Sequence, residues 1–530
     1  MAVITAARAA EAVRSARRSI PLGVLAAAVF VLTAGLRLVG VGRSSDLFVD
    51  EVIYRDLGIS AANGGFPRTD EGLFFLHPPG FFYLQAAWGE IFGLNTDVVT
   101  GVYEVRVLNA LLAGGTAVLL LLLVARARSR TAGAVAVVLF ALDPYCIRQN
   151  NRAMLETETM FWVLAGYLVL LPLVLRPPSK TARSRALCAG LLFGLAVLTK
   201  DHSALITILP LFLALFLGWG PPRRLLLIAL GACVGAYTLY TVIVAAAGHF
   251  GAFWEAKTHG FNRLIGMVQE TGFNAQDKPS LAQRLGGELL TFGSTYVLLA
   301  LGPIALVLLL RHKDPVHRFL ALFQLSAAFT LLYALVAGTL EEQALYLLVV
   351  PNLVALAVAF PGWRREHATQ ERRFARRGTL LGVGAAVVLA AAVTFSGVSY
   401  ANVRLQTDDG YAQLRHYMAQ HVPAGSTVAA ADGKTTRGIT GWVLKDKYRV
   451  GSWVTPGARA GANVRYVVIP WKIVKDGYGR LSEREARLLA GQGSLLFSTH
   501  GSMYGTLALY ELPLPHTAAT ADRTWPGHGD

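Results

Sequence analysis

Charge is the first thing in short supply. Only 15% of the 530 residues are Asp, Glu, Lys or Arg, against about 25% in an average soluble domain. With 54% hydrophobic residues and a mean hydropathy of +0.46, this scarcity excludes an ordinary cytosolic enzyme and excludes disorder for the bulk of the chain. Cysteine is nearly missing. Cys146, Cys188 and Cys233 sit in or beside apolar runs, an odd set with neither a disulfide framework nor zinc spacing. Asn-x-Ser/Thr, His-Glu-x-x-His and Asp-x-Asp do not occur.

Long apolar runs are what the chain has instead. A helix needs about 20 apolar residues to cross a bilayer. Runs of that order lie near 20–40, 107–125, 131–147, 157–175, 186–199, 203–219, 225–247, 291–310, 319–338, 343–360 and 379–398. Those at 131–147 and 186–199 are short. The pattern predicts a polytopic α-helical membrane protein with about 11 transmembrane helices.

The net charge is +16, which could signal a nucleic-acid partner. Its placement argues otherwise. The first twenty residues and the alternate connections near 126–130, 176–185, 223–224, 311–318 and 364–377 hold 22 basic residues against four acids. That is the positive-inside distribution. It predicts a cytoplasmic segment 1–19, a transmembrane region 20–399 and an external C-terminus in a multi-pass protein of the cell membrane. The basic residues are then explained by topology, and no nucleic acid is called for. The first run follows a basic stretch as a signal peptide would. It is long and lacks a clear small-x-small cleavage site, so it reads as a retained helix.

Three segments fall outside. The first, 41–104, has three basic residues, nine acids and two aromatic patches, Phe74-Phe75 and Phe81-Phe82-Tyr83. Residues 51–62 and 80–92 have helical apolar spacing but are too short or polar to span, so they are expected in the interface. The second, 248–290, could be a mobile lid or an ordered re-entrant segment. The third, 400–530, loses hydropathy and changes pattern. It predicts an amphipathic helix at 410–421, strands at 427–430, 464–470 and 507–512, and a helix at 482–490 with Ser482 and Glu485 as its capping box. This is a small α/β extracytoplasmic domain. No Gly-x-Gly-x-x-Gly follows its first strand, and the chain after Pro513 is expected to fray.

Asp50-Glu51 follows the first run by about ten residues. Two carboxylates among apolar residues near a membrane are costly without partners. Helical neighbours point about 100° apart, so one can face a reaction centre while the other orients something beside it. Acids in a first helical turn also favour the helix dipole, which would leave the pair without chemistry. The same side of the predicted membrane carries Leu76-His77-Pro78-Pro79-Gly80, then Arg106-Val107-Leu108-Asn109, then Asp143-Pro144 with Arg148, Asn151, Arg152 and Glu156. Leu198-Thr199-Lys200 and Tyr346-Leu347-Leu348-Val349-Val350-Pro351 follow.

In order and spacing this series resembles the GT-C glycosyltransferases that use polyprenyl-phosphate sugars, and most closely the branch of protein O-mannosyltransferases and the lipid A aminoarabinose transferase. The resemblance covers roughly 20–400 and leaves out the tail. It implies a GT-C fold, Asp50 as catalytic base and Glu51 as its active-site neighbour. It also implies donor contacts from His77, Arg152, Glu156 and Lys200, with Arg148 less firmly. His202 and Tyr346 are further donor-binding candidates. The family often has Arg where Glu341-Glu342-Gln343 stands here, which leaves one donor contact unmatched.

Transfer from a lipid phosphate passes through an oxocarbenium-like state. The incoming hydroxyl must lose a proton, which suits a carboxylate base. The departing phosphate needs cations in a low-dielectric site. Asp50 suits the first role, and Lys200 and Arg152 suit the second, with Arg148 and His77 behind them. A single displacement would invert the anomeric centre, as the resemblance implies. Each residue also has a plainer reading. Lys200 could snorkel, Arg148 and Arg152 could bind lipid headgroups, and His77 could cap a turn. Trp88, Trp162 and Trp254 read as interface anchors. No cofactor is certain; a divalent cation on Asp50, Glu51 and Glu156 is conceivable. The expected partners are a polyprenyl-phosphate-linked sugar, a protein, lipid-linked glycan or cell-wall polymer acceptor, and membrane lipids. The alternatives are a transporter or flippase of a polyprenyl or glycolipid, and a non-catalytic scaffold. A transporter would want charges at mid-membrane and repeated halves, and neither is evident.

Overall fold

The computed structural model describes residues 20–93, 96–175, 179–268, 279–337, 342–359, 372–433 and 437–513. The predicted segment 1–19, the stretch 269–278, Glu341, the basic residues 364–371 and the chain after Pro513 lie outside these.

Every predicted apolar run coincides with helix. In chain order, α1 is Leu22–Leu38, α2 Val49–Ala62, α3 Gly80–Phe92, α4 Val98–Ala127, α5 Arg130–Leu142, α6 Pro144–Asn150, α7 Leu155–Leu170 and α8 Ala182–Thr199. Then come α9 Ala204–Leu217, α10 Arg223–Ala246, α11 Phe250–Leu264, α12 Leu281–Gly287, α13 Leu289–Arg311, α14 Pro315–Ala337, α15 Tyr346–Ala359 and α16 Arg372–Arg404. Six helices among the described residues are long and apolar enough to cross a membrane, and seven if the bent pair α5–α6 counts as one span. Shorter apolar helices lie at Leu22–Leu38, Asp201–Leu217 and Gln343–Ala359.

Two boundaries differ from the sequence reading. The run at 131–147 is not one helix: α5 and α6 meet at 67°. Pro144 has no N–H to continue the ladder, and Asp143 caps the new helix by accepting from the Cys146 amide at 2.8 Å. The helix expected from 107 begins at Val98, nine residues earlier. Asp97 caps that start, accepting from the Thr100 amide at 3.1 Å. Hydropathy missed it because the first two turns include Glu104 and Arg106.

Small residues bring the helices close. A Cβ on Gly190 of α8 would stand 2.3 Å from the Ala229 carbonyl of α10, and one on Gly133 of α5 would stand 2.8 Å from the Leu121 carbonyl of α4. One large apolar core runs through α4, α5, α7, α8, α13, α14 and α15. Trp162, expected as an interface anchor, is partly buried and donates to Glu158 at 2.8 Å.

The tail forms a five-stranded mixed sheet, in order β4-β3-β5-β7-β6. The strands are β3 Thr427–Ala430, β4 Arg449–Gly451, β5 Tyr466–Pro470, β6 Ser494–Gly501 and β7 Gly505–Glu511; a two-residue hairpin, β1 Arg68–Thr69 and β2 Gly72–Leu73, precedes them. β3 runs parallel to β4 and β5, while β7 is antiparallel to β5 and β6. The predicted helices appear at Gly410–His421 (α17) and Glu483–Ala490, the latter with the Ser482–Glu485 box. β4 is too short to leave a pattern, and the half-exposed edge strand β6 lacks strict alternation.

The sheet is fused to residues of the 41–104 segment. Leu47, Val52, Val98 and Val102 share a core with Tyr411, Leu414, Trp442, Tyr504 and Leu507. The Tyr504 hydroxyl donates to the Leu47 carbonyl at 2.6 Å. Asp46 accepts from the Tyr411 amide at 3.1 Å, and Arg415 pairs with Asp97 at 2.9 Å.

Candidate active site

Asp50 and Glu51 sit in the first turn of α2 and diverge. Glu51 is fully buried. Arg106 donates to both its oxygens, each at 2.8 Å. The Phe48 amide donates to it at 3.0 Å and the Ala153 amide at 2.7 Å. Arg106 also donates to the carbonyls of Val41, Ser45 and Asp46. This ion pair therefore ties the 41–48 turn, α2, α4 and the 151–154 loop together. Glu51 does not line the cavity, and the expectation that it stands beside Asp50 in the reaction centre is corrected: its oxygens are saturated by Arg106 and two amides. Asp50 turns the other way, into the cavity.

That cavity has a volume of about 1900 Å³. Asp50, His77, Arg148, Arg152, Lys200 and His202 all line it, so residues spread over 150 positions meet as their side of the predicted membrane requires.

Each is placed by local structure. Lys200 follows α8 in extended backbone, and its ammonium is ion-paired with Glu156. Glu156 is fully buried behind it. His77 precedes the Pro-Pro-Gly turn into α3. A Cβ on Gly80 would come 2.8 Å from the Leu198 carbonyl, so glycine lets this turn rest on the end of α8 beside Lys200. Arg148 leaves α6 at the bend, 5.3 Å above the Phe292 ring and 3.8 Å from Glu288. Arg152 lies 4.8 Å over Phe48 and 3.9 Å from the Met503 sulfur.

Burial disfavours the charged form of both histidines. Burial, with Lys200 nearby, holds His77 well below the usual imidazole range. Burial and the same lysine push His202 down to about 3. Positive charge on this wall comes from Lys200, Arg148 and Arg152.

Tyr346 does not reach the cavity. It is fully buried, and its hydroxyl accepts from Asn150 at 2.9 Å, which braces α6. Asp50, Glu51 and Glu156 do not converge as a cation site, since Glu51 engages Arg106 and Glu156 engages Lys200. Among the described residues, no group of three His, Cys, Asp or Glu is placed to hold a metal.

Sequence reasoning missed Asp201 and Lys257. Lys257 of α11 donates to Asp201 at 2.6 Å and to the Leu76 carbonyl at 3.2 Å, pinning α11 to the His77 turn and the end of α8. Adjacency to Lys200 was the one signal for Asp201. It also missed Asp432, Lys472, Met503 and Tyr504 of the tail, which line the same cavity.

Residues 82–255 match the model of the dolichyl-phosphate-mannose-protein mannosyltransferase family. No curated protein sequence matches the chain. The fold is similar to that of the oligosaccharyltransferase AglB from Archaeoglobus fulgidus, solved with an inhibitory peptide and a dolichol-phosphate. The TM-score is 0.56 at 14% identity, covering 92% of this chain and 74% of that one. It is also similar to ArnT from Cupriavidus metallidurans bound to undecaprenyl phosphate, with a TM-score of 0.54 at 13% identity over 92% of this chain and 97% of that one. The architecture is thus that of the GT-C membrane enzymes. The family match, over about a third of the chain, is to enzymes of the same kind.

Proposed function

We propose that the protein moves a sugar from a polyprenyl-phosphate donor to an acceptor hydroxyl on the external face of the membrane, with inversion and with Asp50 as general base. The observation that carries this reading is the single cavity with a carboxylate, Asp50, on one wall and Lys200, Arg148 and Arg152 on others. Asp50 takes the acceptor proton as the new glycosidic bond forms. The lysine and arginines stabilise the departing lipid phosphate. Glu51 acts through position: held by Arg106, it fixes the turn that aims Asp50. Glu156 does the same for Lys200. His77 and His202, being neutral, can offer hydrogen bonds but no charge.

The rest of the cavity is suited to the lipid. Leu205 and Ile206 of α9, Ala327 and Leu331 of α14, and Leu347 and Leu348 of α15 give it an apolar side. An isoprenoid chain lies there with its phosphate toward Lys200. The basic connections put the N-terminus in the cytoplasm, and eleven spans would put the tail outside.

Asp50→Asn is the decisive test. Transfer from an undecaprenyl-phosphate sugar in reconstituted vesicles should fall by about 10²-fold or more, while binding of undecaprenyl phosphate persists. Undiminished transfer would remove Asp50 from the role.

A further inference from the structure

We propose that the C-terminal sheet carries a second subsite, at the carboxyl ends of β3 and β5, that binds the hydroxyl groups of a neutral glycan acceptor and presents it to Asp50. The proposal rests on the glycosyltransferase reading above.

Topology gives the place. β3 lies between β4 and β5, all parallel, so the sheet grows to one side with β4 and to the other with β5. In open α/β sheets, ligands bind in the crevice outside the carboxyl ends of the strands at such a reversal. Here Asp432 stands two residues beyond β3 and Lys472 two beyond β5. Both line the cavity that holds Asp50. The turn before β7 meets the same edge: the Lys472 amide donates to the Tyr504 carbonyl at 3.1 Å, and Met503 approaches Arg152. The edge thus opens toward the donor phosphate wall.

Asp432 supplies an independent sign of a ligand. It is 2% exposed. Its Oδ2 accepts from the Thr440 amide at 3.0 Å, while its Oδ1 has no hydrogen-bond partner among the described residues. A buried acceptor left without a donor is costly, and a ligand hydroxyl would supply one. Gly438 is needed for this arrangement, since a Cβ there would lie 2.2 Å from Asp432 Oδ2. Lys472 is exposed and anchored to the Ser502 carbonyl at 3.2 Å, leaving its ammonium further protons to donate. Trp442 is buried behind this edge, with the Arg437 guanidinium at 4.8 Å and the Lys445 ammonium at 4.0 Å from its ring.

A carboxylate accepting from hydroxyls and an ammonium donating to them form a polyol site. An extended peptide would use a free strand edge. β3 and β5 are interior strands, so their backbone groups are taken. This favours a glycan over a peptide.

The test is binding to the full chain carrying Asp50→Asn, so that turnover plays no part. The probes are mannotriose as a neutral glycan, a Ser/Thr-rich peptide and undecaprenyl phosphate. Mannotriose should bind. Adding Asp432→Asn should weaken it roughly tenfold or more, the expected range for losing a charge-assisted hydrogen bond. Lys472→Gln, at an exposed position where folding is not at stake, should weaken it in the same direction. Undecaprenyl phosphate affinity should stay constant in both. No mannotriose binding, binding indifferent to both changes, or displacement of the subsite preference to the peptide would overturn the proposal. Failure of the transferase reading looks different: the wild-type chain would neither bind undecaprenyl phosphate nor transfer from it.

Discussion

Asp50 faces the cavity, whereas Glu51, one residue on, is enclosed by Arg106 and two backbone amides. The two should therefore fail in different ways. Glu51→Gln leaves Arg106 charged and half-satisfied in a fully buried site, and breaking a buried pair in this way costs about 3–5 kcal/mol. Its melting temperature in detergent should fall clearly, while that of Asp50→Asn should stay near wild type. Lys200→Met should raise the KM for the lipid donor and leave Glu156 buried without its cation, so activity and stability fall together. Affinity for an undecaprenyl-phosphate sugar, a phosphodiester with no proton of its own to lose in this range, should show no histidine inflection between pH 6 and 8. His202 is held near 3 and His77 well below 6.5, so neither gains a proton in that window. An inflection near 6.5 would mean that one of them carries charge to the phosphate.

Short elements, more than long spans, place these side chains. The bend at Asp143–Pro144 turns α6 across the bundle and delivers Arg148 and the loop bearing Arg152. Gly80 lets the His77 turn lie on the end of α8. Gly80→Val would drive a side chain into the Leu198 carbonyl, already 2.8 Å from a bare Cβ. Overpacking of this kind costs about 1–3 kcal/mol. The donor KM should rise more than kcat falls if, as proposed, the displaced groups hold the donor. Kinetics with a range of donor concentrations would show the split. Hydropathy could mark both neighbourhoods as helix. It could not see the bend as a site, because a break of one proline within an apolar run leaves the run's average almost unchanged. The Asp50, His77, Arg152 and Lys200 positions were legible through motif order and side of the membrane. Glu51's true partner was not, because its contact with Arg106 spans 55 residues and no local pattern encodes it.

At the scale of the molecule, the tail is part of the site's wall. Asp46 anchors it by accepting from the Tyr411 amide. Burial pushes this carboxyl up to about 8, with Asp408 raising it further and Arg106 and the Leu47 and Tyr411 amides pulling it down. Tyr103 and Tyr504 also face it. A carboxyl whose folded pKa lies above its unfolded value of about 3.9 holds its proton more tightly when folded. Its contribution to stability is therefore full below about 4, declines as pH rises, and is lost above about 8. Melting temperature should accordingly drop between about pH 4 and 8 in the wild type, and Asp46→Asn should flatten that slope. A slope unchanged by the substitution would assign it to other groups.

The sequence by itself determined the class of molecule. Apolar run length, the one-sided placement of Arg and Lys, and the order of a few polar motifs are local properties, and they pointed to a polytopic helical protein and to most of the charged residues that line its cavity. Tertiary structure alone decided which of two adjacent carboxylates lines the cavity, where a span bends, and that Asp432, Lys472 and Tyr504 from the far end of the chain share that cavity with Asp50. Those outcomes depend on contacts between residues up to about 450 positions apart, where burial and hydrogen-bond geometry, absent from any window of sequence, set the energy.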